Sequence, residues 1–295
     1  MFSRRHPFLF FILIFSAILT VVIIGTSLLL TLGSRNSNFD FGEKVGILEI
    51  TGVISDSKDI IAHLKQFRED DSIKSIVLRI DSPGGAVGPS QEIFREVRKT
   101  IGQKKVITSM GTIAASGGYY VAAGTDGIVA NPGTITGSIG VIMGFTNFEE
   151  LIKKIGLLPT VIKSGKYKDT GSPVRQITED EEKILQNFVQ GIHMQFVKAI
   201  AVGRKMDVEK VKSIADGRIF SGEDAKDLGL VDRLGNLDDA IEWAGRLGGI
   251  KGKIATVYAP EKKYSVLRYI IDSSLNTLLN RTIHGNFYGG YLFKP

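Results

Sequence analysis

The chain has 295 residues and a formal net charge of +6, with 43% hydrophobic and 23% charged residues, enough to bury a sizeable core and too apolar for a disordered chain. It has no cysteine, which excludes disulfides and thiolate metal sites and leaves the redox compartment open. The basic excess comes without a dense Lys/Arg stripe or an aromatic RNA-binding pattern, so no nucleic-acid partner is expected, and a membrane surface accounts for it at least as well.

In chain order, the first feature is the run from Phe8 to Leu32, which has no charged residue. At about 1.5 Å per residue it is long enough to cross a hydrocarbon core of roughly 30 Å. A cleaved signal peptide is the competing reading, but the run exceeds the usual apolar core of such peptides and no small-x-small site closes it. Arg4 and Arg5 place the amino terminus in the cytoplasm under the positive-inside rule, so the rest of the chain is expected to be extracytoplasmic. Residues 1–33 therefore read as amino terminus and transmembrane anchor, and 34–43 as a polar linker. Residues 44–260 read as one catalytic domain, and 261–295 as an amphipathic helix and tail.

Within the domain, strands are expected at Lys44–Ile54, Ile73–Ile80, Lys105–Met110, Gly127–Ala130, Ile139–Met143 and Thr160–Lys163. Helices are expected at Asp59–Phe67, Ser90–Thr100, Ser116–Ala123 and Phe148–Ile155. This alternation predicts an α/β fold with mainly parallel strands. Thr178-Glu-Asp-Glu181 is a capping box before a long helix to about residue 202, with further helices at Val208–Ala215, at Gly222–Leu228 after Ser221, and after Asn236. A last amphipathic pattern covers Tyr264–Ile283 and needs a partner surface; packing on its own domain or a neighbouring subunit suits it better than lying on a membrane.

The chemistry concentrates around Ser116, in Ser109-Met-Gly-Thr-Ile-Ala-Ala-Ser-Gly-Gly-Tyr-Tyr120. A strand leads into a small-residue turn and a helix starts at the serine, a geometry expected to expose the hydroxyl while aiming the free N–H groups of the first helical turn toward it. Gly117 can approach a developing oxyanion without obstruction, and Gly85, in Asp81-Ser-Pro-Gly-Gly85, can supply a second amide; each glycine cluster taken singly also reads as a turn. The histidines His6, His63, His193 and His284 form no Ser-His-Asp order. A neutral amine can replace histidine as base, and Lys163, Lys166 and Lys168 cluster after a predicted strand. Activity resting on such an amine is expected to rise with pH. Ser138, in Thr136-Gly-Ser-Ile-Gly-Val141, could orient the amine or simply form a turn.

Five motifs carry a family resemblance: Asp81-Ser-Pro-Gly-Gly85, Ala115-Ser-Gly-Gly-Tyr-Tyr120, Thr136-Gly-Ser-Ile-Gly-Val141, Gly165-Lys-Tyr-Lys-Asp169 and Asp216-Gly-Arg-Ile-Phe-Ser-Gly222. Over about residues 44–245 the chain resembles the signal peptide peptidase A family of bacterial membrane-bound serine proteases, peptidase family S49, in its short single-domain form. The resemblance implies Ser116 as nucleophile, Lys168 as general base, Gly85 and Gly117 as oxyanion hole, and Ser138 as the residue contacting the lysine. It also implies a fold like the Clp protease and crotonases, built from repeated β-β-α units, and a ring-like homo-oligomer in which serine and lysine can come from neighbouring subunits. Remnant signal peptides are then the substrates, the bacterial inner membrane the location, and no metal or cofactor is needed. Two other readings remain at this stage, a crotonase-like acyl-CoA enzyme and a catalytically idle membrane-anchored scaffold.

Overall fold

A computed structural model describes residues 7–34, 42–260 and 288–292. Contacts divide the chain into two units, Met1–Gly42 and Glu43–Pro295. The first contains a 28-residue helix, α1 (Pro7–Ser34), about 40 Å long at about 1.5 Å per residue. Its sequence has no charged residue, and described side chains such as Phe11, Phe15 and Val21 are exposed. Counted over the described residues alone, no helix is long and apolar enough to cross a membrane, so a span rests on the sequence.

The second unit is a mixed α/β domain whose main sheet is mostly parallel. Its strands are β1 (Lys44–Thr51), β2 (Ile73–Ser82), β4 (Lys105–Ala115), β5 (Gly127–Ala130), β9 (Arg233–Leu234) and β10 (Ala255–Tyr258), in the order β10-β1-β2-β4-β5-β9. All pairs along that path are parallel. β2 lies inside the sheet, and Ile76, Val77, Leu78 and Ile80 are fully buried there, as a strand covered on both faces requires. Alternate residues face opposite layers. Ile76, Leu78 and Ile80 join a large core with α2 (Lys58–Glu69), α3 (Val87–Thr100), α4 (Gly117–Ala122) and α6 (Glu179–Arg204). Val77 joins Val45, Ile107, Ala240 and Ala244 of a smaller core under α9 (Leu237–Leu247).

The remaining helices are α5 (Glu149–Lys154), α7 (Val208–Ile214) and α8 (Gly222–Asp227). Capping boxes start α6 at Thr178, α8 at Ser221 and α9 at Asn236, where the sequence places them. β4 runs five residues past its expected end at Met110, because β6 (Ile135–Gly137) pairs in parallel with its last three residues. β8 (Ile219–Phe220) then pairs antiparallel with β6. The strand expected at Ile139–Met143 appears as β7 (Ile142–Gly144), with Ile139 buried in the core outside it. The strand expected at Thr160–Lys163 does not form. No neighbouring strand is offered to it, and Val161 and Ile162 point outward with 53% and 97% of their surface exposed.

A second, small sheet has no counterpart in the sequence reading. Its order is β3 (Gly84–Ala86), β11 (Tyr288–Leu292), β7. β11 is antiparallel to both neighbours, with Tyr291 opposite Gly85 and Gly289 opposite Met143. The helix expected at Tyr264–Ile283 lies outside the described residues.

Candidate active site

Ser116 occupies the junction between β4 and α4. Its backbone has φ 52° and ψ −117°, a left-handed region costing an L-residue about 1–3 kcal/mol unless its surroundings impose it. Three contacts do so. The Ser116 N–H donates to Gly137 O at 2.8 Å, and its carbonyl accepts from Tyr120 N at 2.8 Å. Tyr119, next but two, is fully buried and donates its hydroxyl to Leu230 O at 2.9 Å. The turn is a strand-to-helix elbow of the kind that lifts a serine hydroxyl above a sheet. Contrary to the exposed hydroxyl expected from the sequence, the residue is only 1% exposed and its Oγ is buried with no hydrogen-bond partner, because the helix that starts here is itself buried from Gly117 to Ala122. A buried hydroxyl left unbonded costs roughly 1–3 kcal/mol. Such an atom calls for an explanation.

Gly117 and Gly85 pack directly together. A Cβ at Gly117 would lie 2.6 Å from Ser90 Oγ and 3.1 Å from Gly85 N. At Gly85 it would fall on the backbone of Ile54, which donates to Gly84 O at 2.9 Å and accepts from Ala86 N at 2.8 Å. Close backbone approach at both positions thus requires glycine. As the first residue of α4, Gly117 has an N–H with no carbonyl one turn back to receive it. Two amides beside the serine are the arrangement that an oxyanion needs.

Ser138 follows the β6 residue paired with Ala115, so the two serines leave adjacent strands side by side. It too has a positive φ, 49°, and is 8% exposed. Its N–H donates to Arg218 O at 2.8 Å. The Asp216-Gly-Arg-Ile-Phe segment therefore clamps the Thr-Gly-Ser strand from outside, and Asp216 in turn accepts from the Arg218 side chain. Asp81 does comparable work at the other flank. Its Oδ1 accepts from Ile113 N at 3.1 Å, supporting the irregular end of β4 just before the serine.

The lysines separate clearly. Lys163 donates to Asp169 at 2.5 Å and Lys166 to Asp180 at 2.8 Å. The hydrogen bond to Asp180 holds the Lys166 ammonium above the usual lysine range, the wrong direction for a base. Lys168 makes no described side-chain hydrogen bond or ion pair, and its side chain is exposed. Since Ser116 Oγ has no partner, the structure does not join these two groups within one chain. It brings together Ser116, Gly117, Gly85 and Ser138, and leaves Lys168 on the surface.

Lys168 is carried by a segment without regular structure, residues 157–178, that the sequence reading did not see as ordered by side chains. Arg175 is its centre, donating Nε to Asp169 Oδ2 at 2.9 Å and Nη1 to Glu181 Oε2 at 2.8 Å. The Arg175 guanidinium holds the Asp169 carboxyl below the usual carboxylate range and lowers Glu181 from 4.5 to about 2. Both folded-state values are depressed. The stability they contribute is present above the unfolded carboxylate values and is lost only as pH falls through the folded ones, well below neutrality.

His63 lines a 680 Å³ cavity with Glu49, Asp56, Asp59 and Tyr258 that holds none of the candidate residues. His193 faces a 230 Å³ cavity beside Gly140, Val141 and Asp216. Neither bonds Ser116 Oγ. His6 and His284 lie outside the described residues. Among the described residues, no group of acidic or histidine side chains could hold a metal ion.

A family profile, Peptidase family S49, matches residues 98–251, which include Ser116, Ser138 and Lys168. The chain belongs to peptidase family S49. It is 45% identical over 224 residues to a provisionally named protease of Synechocystis sp., covering 74% of this chain and 80% of that protein. It is 33% identical over 296 residues to a provisionally named protease of Methanocaldococcus jannaschii, covering 94% and 95%. It is 39% identical over 217 residues to a provisionally named signal peptide peptidase SppA of Enterococcus faecium, covering 68% and 62%. Membership makes the chain a protease, and the mixed, mostly parallel sheet fits an S49 fold.

β11 pairs along β3, the short strand that carries Gly85. Two outcomes follow. Gly117→Ala keeps the backbone N–H, but its Cβ would lie 2.6 Å from Ser90 Oγ and 3.1 Å from Gly85 N, so displacement of the amide should lower peptide hydrolysis by roughly 100-fold or more, the scale of one lost oxyanion donor, measured as kcat on purified protein; activity within threefold of the parent would remove Gly117 from the site. A chain ending at residue 284 should show a lower KM for peptides with kcat unchanged if a substrate backbone takes the β3 edge that β11 covers. An unchanged KM would show that β11 does not compete for it.

Proposed function

We propose that the protein is a membrane-anchored serine endopeptidase that degrades remnant signal peptides. The observation that carries this reading is the unbonded, buried Ser116 Oγ at a strained elbow beside the amides of Gly85 and Gly117. Ser116 Oγ forms a bond to the scissile carbonyl carbon as its proton passes to the neutral amine of Lys168. The oxyanion is held by the Gly85 and Gly117 amides. The carbon–nitrogen bond breaks, Lys168 returns the proton to the leaving amine, and water then hydrolyses the acyl-enzyme by the same route. Ser138 orients the amine. No metal or cofactor takes part in these steps.

In this reading Lys168 comes from a neighbouring copy. An exposed amine and a buried, unbonded hydroxyl are what each copy offers if the pair is completed between copies. The surface before Lys168 supports association, since Leu151, Ile155, Leu157, Leu158, Val161 and Ile162 are all more than half exposed, an apolar patch beyond what isolated exposed side chains explain. A closed ring of Clp-protease-like subunits built from β-β-α repeats satisfies it. The uncharged run of α1, after Arg4 and Arg5, anchors the chain in the bacterial inner membrane with the catalytic domain on the extracytoplasmic side. Hydrophobic signal peptides released in that membrane are the protein's substrates, and the β3 edge that β11 covers is where an extended peptide would pair in its place.

Peptide cleavage by the full chain tests the assignment. Ser116→Ala should be inactive, and Lys168→Ala should lose at least about 100-fold in kcat, both with particle size unchanged. Mixing the two inactive variants should restore part of the activity; no recovery in co-assembled particles would place both groups in one copy. The rate of the parent should rise with pH as the amine loses its proton, and a rate falling steadily from acid to alkaline pH would reject an amine base.

A further inference from the structure

The segment that carries Lys168 lacks helix and strand from residue 157 to 178, yet a general base has to be held to a fraction of an ångström. The backbone around Lys168 is fixed from both sides. Its N–H donates to Gly165 O at 3.2 Å. The preceding carbonyl, Tyr167 O, accepts from Thr170 Oγ1 at 2.8 Å, and the same hydroxyl lies 3.2 Å from Glu181 Oε1. The following side chain, Asp169, is gripped by Arg175 through Nε at 2.9 Å and Nη2 at 3.0 Å, while Nη2 also bonds the Asp169 carbonyl at 3.1 Å.

The other side of the same guanidinium is fastened to a rigid element. Nη1 and Nη2 donate to Glu181 Oε2 and Oε1 at 2.8 and 2.5 Å. Glu181 belongs to the first turn of the 26-residue helix α6, and its side chain is 3% exposed. It also closes the capping box, accepting from Thr178 N at 2.9 Å. Planar, two-sided recognition of this kind needs a guanidinium; an ammonium supplies a point charge without the fork.

We propose that Arg175, bridging Asp169 and Glu181, is the positioning residue that holds Lys168 in register for proton transfer from the serine. The inference rests on the reading of Lys168 as general base. The hydrogen bonds of Arg175 go to Asp169, Gln176 and Glu181 and none to Ser116, so it acts through the backbone on either side of the lysine. β3, β7 and β11 belong to segments other than residues 157–178, so the effect is expected on kcat and not on KM.

The test uses the whole 295-residue chain with a peptide substrate. Arg175→Ala should lower kcat roughly 100-fold, the scale of a 1 Å misplacement, with KM within twofold and particle size unchanged, and added guanidinium ion should restore part of the loss. Arg175→Lys should stay impaired. Adding Arg175→Ala to Lys168→Ala should slow the residual reaction no further. Parent-like kcat in Arg175→Ala, multiplicative losses in the double variant, or losses in both Arg175 variants that merely track disassembly would each overturn the proposal. Full activity of Lys168→Ala alone would sink the base assignment itself, whatever Arg175→Ala does.

Discussion

The left-handed backbone at Ser116 is the constraint around which the domain is organised. A strand that ends in the parallel sheet and a helix that starts at once must meet at a sharp angle, and a residue with a Cβ resists that angle. The resistance is overcome by the hydrogen bond to Gly137, the burial of Tyr119 and Tyr120 beneath the turn, and the glycines on either flank. Strain of about 1–3 kcal/mol is small against a core that covers both faces of the sheet. The reward for it is a hydroxyl with a fixed direction and no competing hydrogen bond.

The same turn explains why flanking segments have so little freedom. Gly85 and Gly117 approach until no side chain fits between them, so β3 and the start of α4 act as one wall. The Asp216–Phe220 segment closes the opposite flank by pairing β8 with β6, beside which Ser138 emerges. Asp81 braces the irregular end of β4. Four of the five motifs, scattered over more than 130 residues from Asp81 to Phe220, thereby converge on one elbow, while Gly165–Asp169 stays apart from it. Most of their residues support the backbone, and only a few face the reaction space.

Lysine chemistry depends on which amines are already engaged. Lys163 and Lys166 are each tied to a carboxylate, whereas Lys168 makes no described ion pair. The ion pairs around Arg175 shape the segment that presents Lys168. Their carboxylates titrate far below neutrality, so this scaffold does not loosen over the pH range in which an amine base would work.

From the sequence alone came the α/β alternation, the buried run Ser75–Ile80, the capped starts of α6, α8 and α9, and the small-residue turn at Ser116, because each depends on local periodicity or on side chains within one turn of the backbone. Tertiary structure decided what local patterns do not encode. The β-branched run at Thr160–Lys163 found no partner strand and stayed outside the sheet, while short segments such as Gly84–Ala86 and Tyr288–Leu292 became strands because a distant edge was offered to them. The importance of Arg175 was equally invisible, since two carboxylates six residues away on either side become its partners only once the segment folds back on α6. Pairing across space, not propensity along the chain, sets these features.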